Sequence, residues 1–145
     1  MSIKYFTEDV QPPKIGRREA SNWIKNVIAS EGFSLGDVSF IFCSDDYLLD
    51  VNRNFLDHDY YTDIITFDYV EGKIISGDIF ISLDRVKDNS AEFKTSLENE
   101  IHRILIHGIL HLLGYKDKSK KDKLIMTEKE NLCLKVLNDS RLQLK

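Results

Sequence analysis

The sequence predicts an α+β domain in which helices pack on a single mixed β-sheet of about four strands. Runs rich in β-branched and aromatic residues, typical of strands, end near residue 83, and only helical periodicity follows from about Ser90. The length of 145 residues, with 42% apolar and 30% charged side chains, fits one globular domain spanning residues 1–145. The predicted order of elements is β-α-β-α-β-β-α-α.

The first half of the chain predicts two strands that alternate with two helices. An extended segment covers about 2–7, and apolar residues then recur at helical spacing over about 16–31. The run DVSFIFCS at 37–44 is rich in β-branched and aromatic residues, which favours a strand. Ser44 is typical of a helix N-cap, and two aspartates follow it in the first turn of a helix that reaches about Phe55.

The second half predicts a hairpin followed by two long helices. The runs TDIITFDYV at 62–70 and ISGDIFISL at 75–83 have strand composition. Gly72 lies in the short link between them, which predicts an antiparallel pair. Helical periodicity predicts one helix over about 95–113 and another over about 119–138.

The composition indicates a cytoplasmic protein that does not enter a membrane. No stretch reaches the roughly 18 apolar residues of a membrane span, and the N-terminus lacks the apolar run of a secretory signal. Cys43 and Cys133 lie far apart in apolar surroundings, as reduced core thiols do. The net charge of −4 argues against nonspecific nucleic-acid binding by overall charge. The segment 116–123 holds five lysines and two aspartates, so it is either a local basic patch or a solvated turn.

A candidate metal site lies on the predicted helix 95–113. His107 and His111 are one turn apart at the edge of its apolar face, so both imidazoles can converge on one cation. Gly114 follows as a helix C′ residue and lets the chain turn back, so that Asp117 can approach the same metal. This zincin-like spacing, HxxxHxxGxxD, resembles the metzincin pattern. The alternative is two core-edge histidines with satisfied hydrogen bonds.

Gly108 stands where the zinc peptidase motif HExxH carries its general base. The missing glutamate argues against an ordinary zinc peptidase. Three protein ligands would still leave a coordination position for water, as catalytic zinc sites do. Gly108 also lies on the apolar arc of the helix, where a small residue would let another element approach closely.

Three motifs together resemble the YbeY family of rRNA maturation factors. They are TDIITF at 62–67, GDI at 77–79 and HGILHLLGY at 107–115, and their order and intervals fit the family over about residues 40–130. The resemblance implies a single YbeY-like metal-dependent hydrolase domain with zinc as its cofactor. It further implies a cytoplasmic, single-strand-specific endoribonuclease acting in small-subunit rRNA 3′-end maturation and ribosome quality control. Single-stranded RNA and the ribosomal small subunit are therefore the expected partners.

Two departures from the family pattern concern the site. The third histidine of the family motif GYDH is replaced here by Asp117. A carboxylate is an acceptable zinc ligand and favours oxygen-loving metals more than an imidazole does. We therefore expect His107, His111 and Asp117 to hold one Zn²⁺ or another divalent ion. The alternative is that Asp117 is only a surface turn residue.

The second departure is Leu56, which stands where the family has an arginine thought to serve the reaction. Arg53 and His58 are the candidate catalytic replacements. Arg53 lies on the same helix face as position 56, and a guanidinium matches phosphate geometry well. Arg53 could equally pair with a surface carboxylate such as Asp50 or Asp57.

Several further side chains carry a functional and a structural interpretation. Asp63 and Asp78, near strand ends, could orient a histidine or bond backbone amides, and the structural role is favoured for Asp78. Glu100 lies on the histidine flank, where an ordinary helix pair with Arg103 is expected. Met126 is expected to be a packing residue.

The expected function is a zinc-dependent endoribonuclease, and two alternatives remain open. One is a zinc metallopeptidase-like hydrolase, which the metzincin-like spacing supports and the missing glutamate opposes. The other is a ribosome-assembly binding factor in which the metal is structural. The sequence leaves the oligomeric state open.

Overall fold

The computed structural model describes residues 1–143 and contains the single mixed four-stranded sheet that the sequence predicts. The spatial order is β1-β2-β4-β3, and β1, β2 and β4 run parallel while β3 pairs antiparallel with β4. The strands are β1 (Ser2–Thr7), β2 (Ser34–Cys43), β3 (Ile64–Asp68) and β4 (Ile74–Ser82). The predicted hairpin is therefore confirmed, with Gly72 in its link at φ 59°.

Within residues 1–143, five helices surround the sheet, one more than the sequence predicts. They are α1 (Arg17–Ser30), α2 (Asp45–Leu56), α3 (Leu83–Glu92), α4 (Leu97–Leu112) and α5 (Lys120–Gln143). The predicted N-cap of α2 is confirmed, because the Ser44 hydroxyl accepts a hydrogen bond from the Tyr47 backbone amide at 3.1 Å. The α+β class is confirmed, with the metal-binding candidates in the C-terminal half as expected.

The additional helix, α3, is where the sequence analysis was wrong. The predicted strand 75–83 ends at Ser82, and the next residue already begins α3. The fully buried Ser82 hydroxyl accepts a hydrogen bond from the Arg85 amide at 3.3 Å and caps the helix. Only Leu83 and Val86 of this ten-residue helix are buried, so its apolar periodicity is too short to be recognised.

The core occupies both faces of the sheet. Ile75, Ile79 and Ile81 of β4 pack in the larger apolar cluster with α1, α4 and α5, whereas Phe80 packs with α2 in a smaller one. Each fully buried isoleucine stabilises the fold by roughly 1.5–3 kcal/mol. Because α4 lies against β3 and β4, the flank of α4 that carries the histidines faces the edge strand β3.

Both cysteines and Met126 are buried, as the sequence predicts. Cys43 and Cys133 are buried free thiols, and Met126 packs in the larger cluster. Among the described residues, none of the helices combines the length and the apolar character that a bilayer span requires.

Candidate metal centre

The helix α4 presents His107 and His111 one turn apart on its flank. The Ser96 hydroxyl caps the start of α4 by accepting a hydrogen bond from the Asn99 amide at 3.0 Å. The two imidazole rings are nearly perpendicular, with centroids 4.6 Å apart. Their side chains are 19% and 26% exposed, so they lie at the edge of the core, as the sequence predicts.

The turn after α4 returns the chain to the histidines. The Gly114 amide donates to the His111 carbonyl and the Tyr115 amide to the Leu110 carbonyl, each at 3.0 Å, which is a Schellman arrangement. Gly114 has φ +104°, a left-handed conformation that a side chain would disfavour. The turn places Asp117 Oδ2 at 3.3 Å from His107 Nε2 and 3.2 Å from His111 Nε2.

The three donor atoms fit a divalent metal ion. The third separation, between the two Nε2 atoms, is 3.0 Å. Tetrahedral coordination with bonds near 2.0–2.1 Å places neighbouring donors about 3.3 Å apart, close to all three separations. Two imidazole nitrogens and one carboxylate oxygen are also a set of ligand atoms that binds zinc and other divalent first-row transition metals. His107, His111 and Asp117 can therefore hold such an ion.

Glu130 on α5 orients the first histidine. Its Oε2 lies 2.6 Å from His107 Nδ1, and its Oε1 accepts a hydrogen bond of 2.9 Å from Arg103. Because a carboxylate accepts hydrogen bonds, Nδ1 of His107 carries a hydrogen, and the lone pair of the neutral imidazole is then on Nε2, which faces the site. A carboxylate behind a ligating imidazole both fixes the ring and raises its basicity.

Glu130 was not assigned this role from the sequence, and the expected partner of Arg103 was wrong. Glu100 accepts a hydrogen bond from Thr95 Oγ1 at 2.9 Å, and Arg103 pairs with Glu130 instead. A signal was present in α5. Glu130 is 6% exposed and interrupts the buried stripe of Met126, Cys133, Leu134 and Leu137 at helical spacing.

The electrostatics of the site favour a cation. Burial lowers the pKa of His107, but the hydrogen bond to Glu130 and the charges of Glu130, Asp117 and Asp63 outweigh it, so the pKa is raised. Burial also raises the pKa of the Asp63 carboxyl, although the charge on His107 opposes the shift. Three carboxylates thus act on His107, and a divalent ion would offset their mutual repulsion.

The three candidate ligands lie in an open cleft of about 840 Å³. The opposite wall is β3 together with the segment 57–63 that joins α2 to β3. His58 and Asp63 line this cleft, whereas Arg53 and Asp78 are not among its lining residues.

Arg53 is half exposed at the surface of α2. It forms an ion pair with Asp59 and a longer one, of 3.8 Å, with Asp50. A guanidinium held in this way would have to leave Asp59 before it could bind a phosphate in the cleft. Of the two candidate catalytic residues, His58 lines the cleft and Arg53 does not.

Gly108 packs against the sheet, so the side chain of a peptidase-like glutamate would be crowded there. A Cβ atom at this position would lie 3.0 Å from the Ile79 side chain and 3.2 Å from Ile64 Cδ1.

We expect Gly108→Glu to lower the free energy of unfolding by at least about 3 kcal/mol, because overpacking is combined with burial of a charge. Urea unfolding measures the effect. Asn99→Glu, near the start of the same helix, is the control and should change it little. A stable Gly108→Glu protein that cleaves peptides would contradict this packing argument.

The family model and the relatives that match this chain carry the same family name. The family model described as Endoribonuclease YbeY matches residues 5–138. A protein of that name from Parabacteroides distasonis is 54% identical over 137 residues, covering 94% of this chain and 96% of the relative. One from Bacteroides thetaiotaomicron is 53% identical over 134 residues, covering 92% and 98%. A solution structure of a Thermotoga maritima protein superposes with a TM-score of 0.67 at 26% identity, covering 98% of this chain and 93% of the other.

Proposed function

The chain belongs to the endoribonuclease YbeY family, and we propose that it cleaves single-stranded RNA at the centre formed by His107, His111 and Asp117. The family predicted from the three sequence motifs is thus confirmed, and the chain is an endoribonuclease, a hydrolase that cuts RNA internally. The convergence of the three donor atoms within 4.8 Å of one another is the observation that supports the site.

The metal at this centre is proposed to be one Zn²⁺, with other divalent ions admitted by the carboxylate of Asp117. When bound, such an ion supplies a Lewis acid that activates water or polarises a phosphoryl oxygen. Glu130 holds the His107 ring and its tautomer through the hydrogen bond to Nδ1. Arg103 in turn satisfies the second oxygen of Glu130, so this carboxylate is fixed in the orientation that His107 needs.

The substrate contacts are proposed to lie on both sides of the ligands. His58 would donate a hydrogen bond to a phosphate oxygen from the opposite wall of the cleft. Arg53 is a second candidate for phosphate binding, and it would have to replace its ion pair with Asp59 by one with an RNA phosphate. On the near side, Lys118 lines the cleft directly after Asp117.

The lysine-rich segment 116–123 is proposed to attract the RNA backbone, because all five of its lysines are exposed. We expect a variant with Lys118, Lys120 and Lys121 changed to alanine to bind single-stranded RNA more weakly at low salt. The dependence of log affinity on log salt should become shallower by about 0.7 for each lost phosphate contact. Titrations at several salt concentrations measure both effects, with Lys25→Ala on α1 as the control. Unchanged affinity in the triple variant, or salt-insensitive binding by the wild type, would contradict the proposal.

The cellular role is proposed from the family resemblance. It is a cytoplasmic role in maturation of the 3′ end of small-subunit rRNA and in ribosome quality control, with the small subunit as partner. One YbeY-like domain would account for the whole chain, and the family match over residues 5–138 supports this.

The direct test combines metal analysis with cleavage of two RNAs of equal length, one single-stranded and one duplex. The purified protein should carry a divalent metal and cut the single strand internally, with much slower cleavage of the duplex. Removal of the metal by a chelator should stop cleavage, and added Zn²⁺ or Mn²⁺ should restore it. Cleavage that persists in fully metal-free protein would contradict the metal centre. Intact single-stranded RNA after incubation with metal-loaded protein would contradict the proposed function.

The two alternatives are not favoured. A peptidase needs a general base that Gly108 cannot supply, and the family match is to endoribonucleases. A binding factor with a structural metal would not need an open cleft of about 840 Å³ beside the ion.

A further inference from the structure

We propose that the stacked rings of His58 and Tyr60 form a base-binding subsite, which holds one unpaired RNA base beside the metal centre. The inference rests on the proposed RNA cleavage and adds to it the residues that recognise a base. Phosphates are present in single-stranded and in duplex RNA, whereas only an unpaired base presents a free face for stacking on aromatic side chains.

The two rings form an exposed aromatic surface. Their centroids are 5.2 Å apart with an interplanar angle of 22°, and Tyr60 Oη lies 3.1 Å from His58 Nδ1. Tyr60 is 56% exposed, and His58 is exposed as well. An exposed ring with an adjacent stacked partner can accept the face of a further ring, and nucleic acid bases stack on such surfaces.

The segment that carries the two rings is held by hydrogen bonds to Asn52 on α2. Asn52 is 1% exposed, and its side-chain amide donates a hydrogen bond of 2.9 Å to the Tyr60 carbonyl. The Asn52 carbonyl in turn accepts one of 3.1 Å from the His58 amide, just after Asp57 turns the chain at φ 54°. The backbone on both sides of the ring pair is therefore anchored to α2, which lowers the entropy lost on binding.

The two rings lie in the cleft where RNA cleavage is proposed to occur. His58 and Tyr60 line the same cleft as His107, His111 and Asp117. A strand bound across the cleft would place its phosphate at the ligands and a neighbouring base at the rings. A base in a duplex is stacked and paired and cannot turn out without a cost of a few kcal/mol. The subsite would therefore favour unpaired RNA.

The adjacent tyrosine shows that exposure alone does not make a residue part of this surface. Tyr61 is 50% exposed, but its hydroxyl donates to Asp46 at 3.1 Å and its ring lies 5.7 Å from the Arg85 guanidinium carbon. Tyr61 is not among the residues that line the cleft. It is thus a matched control of the same residue type, one position away.

The test uses metal-loaded protein and a fluorescent oligodeoxyadenylate, which carries bases and phosphates but is not a substrate for an endoribonuclease. A second strand has the same backbone with abasic sites. We expect Tyr60→Ala to bind the first strand about 10-fold or more weakly and the abasic strand as the wild type does. Tyr60→Phe keeps the ring and should stay within about twofold of the wild type, as should Tyr61→Ala. In RNA cleavage, Tyr60→Ala should raise KM more than it lowers kcat.

The outcomes separate this inference from the proposed function. Equal affinity of the wild type for the two strands would overturn the subsite even if no variant folded. An equal loss on both strands in Tyr60→Ala, or no loss on either, would also overturn it, while metal-dependent RNA cleavage by the wild type would leave the function standing. Failure of the wild type to cleave RNA would remove the function and the subsite together.

Discussion

Replacing His111 with alanine is expected to lower the rate of RNA cleavage at least about 1000-fold, because loss of the metal removes several kcal/mol of transition-state stabilisation. The His111 side chain is 26% exposed, and its contacts in the site are with His107 and Asp117. The protein should therefore stay folded while its metal content falls. Metal analysis, thermal unfolding and single-turnover cleavage of single-stranded RNA measure the three effects.

His107→Ala is the informative comparison. It should lose metal and cleavage equally, but it also leaves the buried Glu130 carboxylate with Arg103 as its remaining side-chain partner among the described residues. A lower unfolding temperature than that of His111→Ala is therefore expected. A His111→Ala protein that folds, lacks metal and still cleaves RNA at the wild-type rate would show that the metal is not catalytic. The structural-metal alternative would then become the better account.

The parts of the fold that could be predicted from the sequence are those fixed by local chemistry. The positions of His107 and His111 follow from helical periodicity, and the return of Asp117 follows from Gly114, since few other residues adopt its φ of +104°. The Ser44 cap and the β3–β4 hairpin are equally local. Each depends on interactions between residues close together in the chain, which a sequence pattern records directly.

The parts that could not be predicted depend on distant segments. Glu130 reaches His107 across 23 positions because α5 packs on α4; the helical spacing in α5 indicates that Glu130 is buried but does not identify its partner. Whether Arg53 or His58 lines the cleft depends on how the chain leaves α2, which turns sharply at Asp57 with φ 54°. The helix face that Arg53 shares with position 56 suggested Arg53 as the catalytic replacement. The turn instead brings His58 into the cleft, and Arg53 pairs with Asp59.

Removal of Asp117, the proposed third ligand, is expected to give the other large effect, on metal affinity. We expect Asp117→Ala to weaken metal binding at least about 100-fold, more than is typical when a group that only orients a ligand is lost. The Asp117 side chain is 40% exposed, so its removal should not change the free energy of unfolding of the metal-free protein. Competition with a chromogenic chelator measures the affinity. Glu128→Ala, on the exposed side of α5, removes the same charge without touching the site and is the control.

Asp117→His distinguishes a ligand from a nearby charge. A third imidazole should restore tight zinc binding and cleavage, yet lower the affinity for Mn²⁺ relative to that of the wild type, because the carboxylate oxygen suits oxygen-loving ions better. If Asp117 acted only through its negative charge, the neutral imidazole would bind zinc as poorly as alanine does. Full metal content in Asp117→Ala would contradict the assignment altogether, and the two histidines would then need a third donor other than Asp117. On this assignment, the preference between zinc and manganese would depend on one carboxylate, which the turn at Gly114 places 3.2–3.3 Å from both imidazoles.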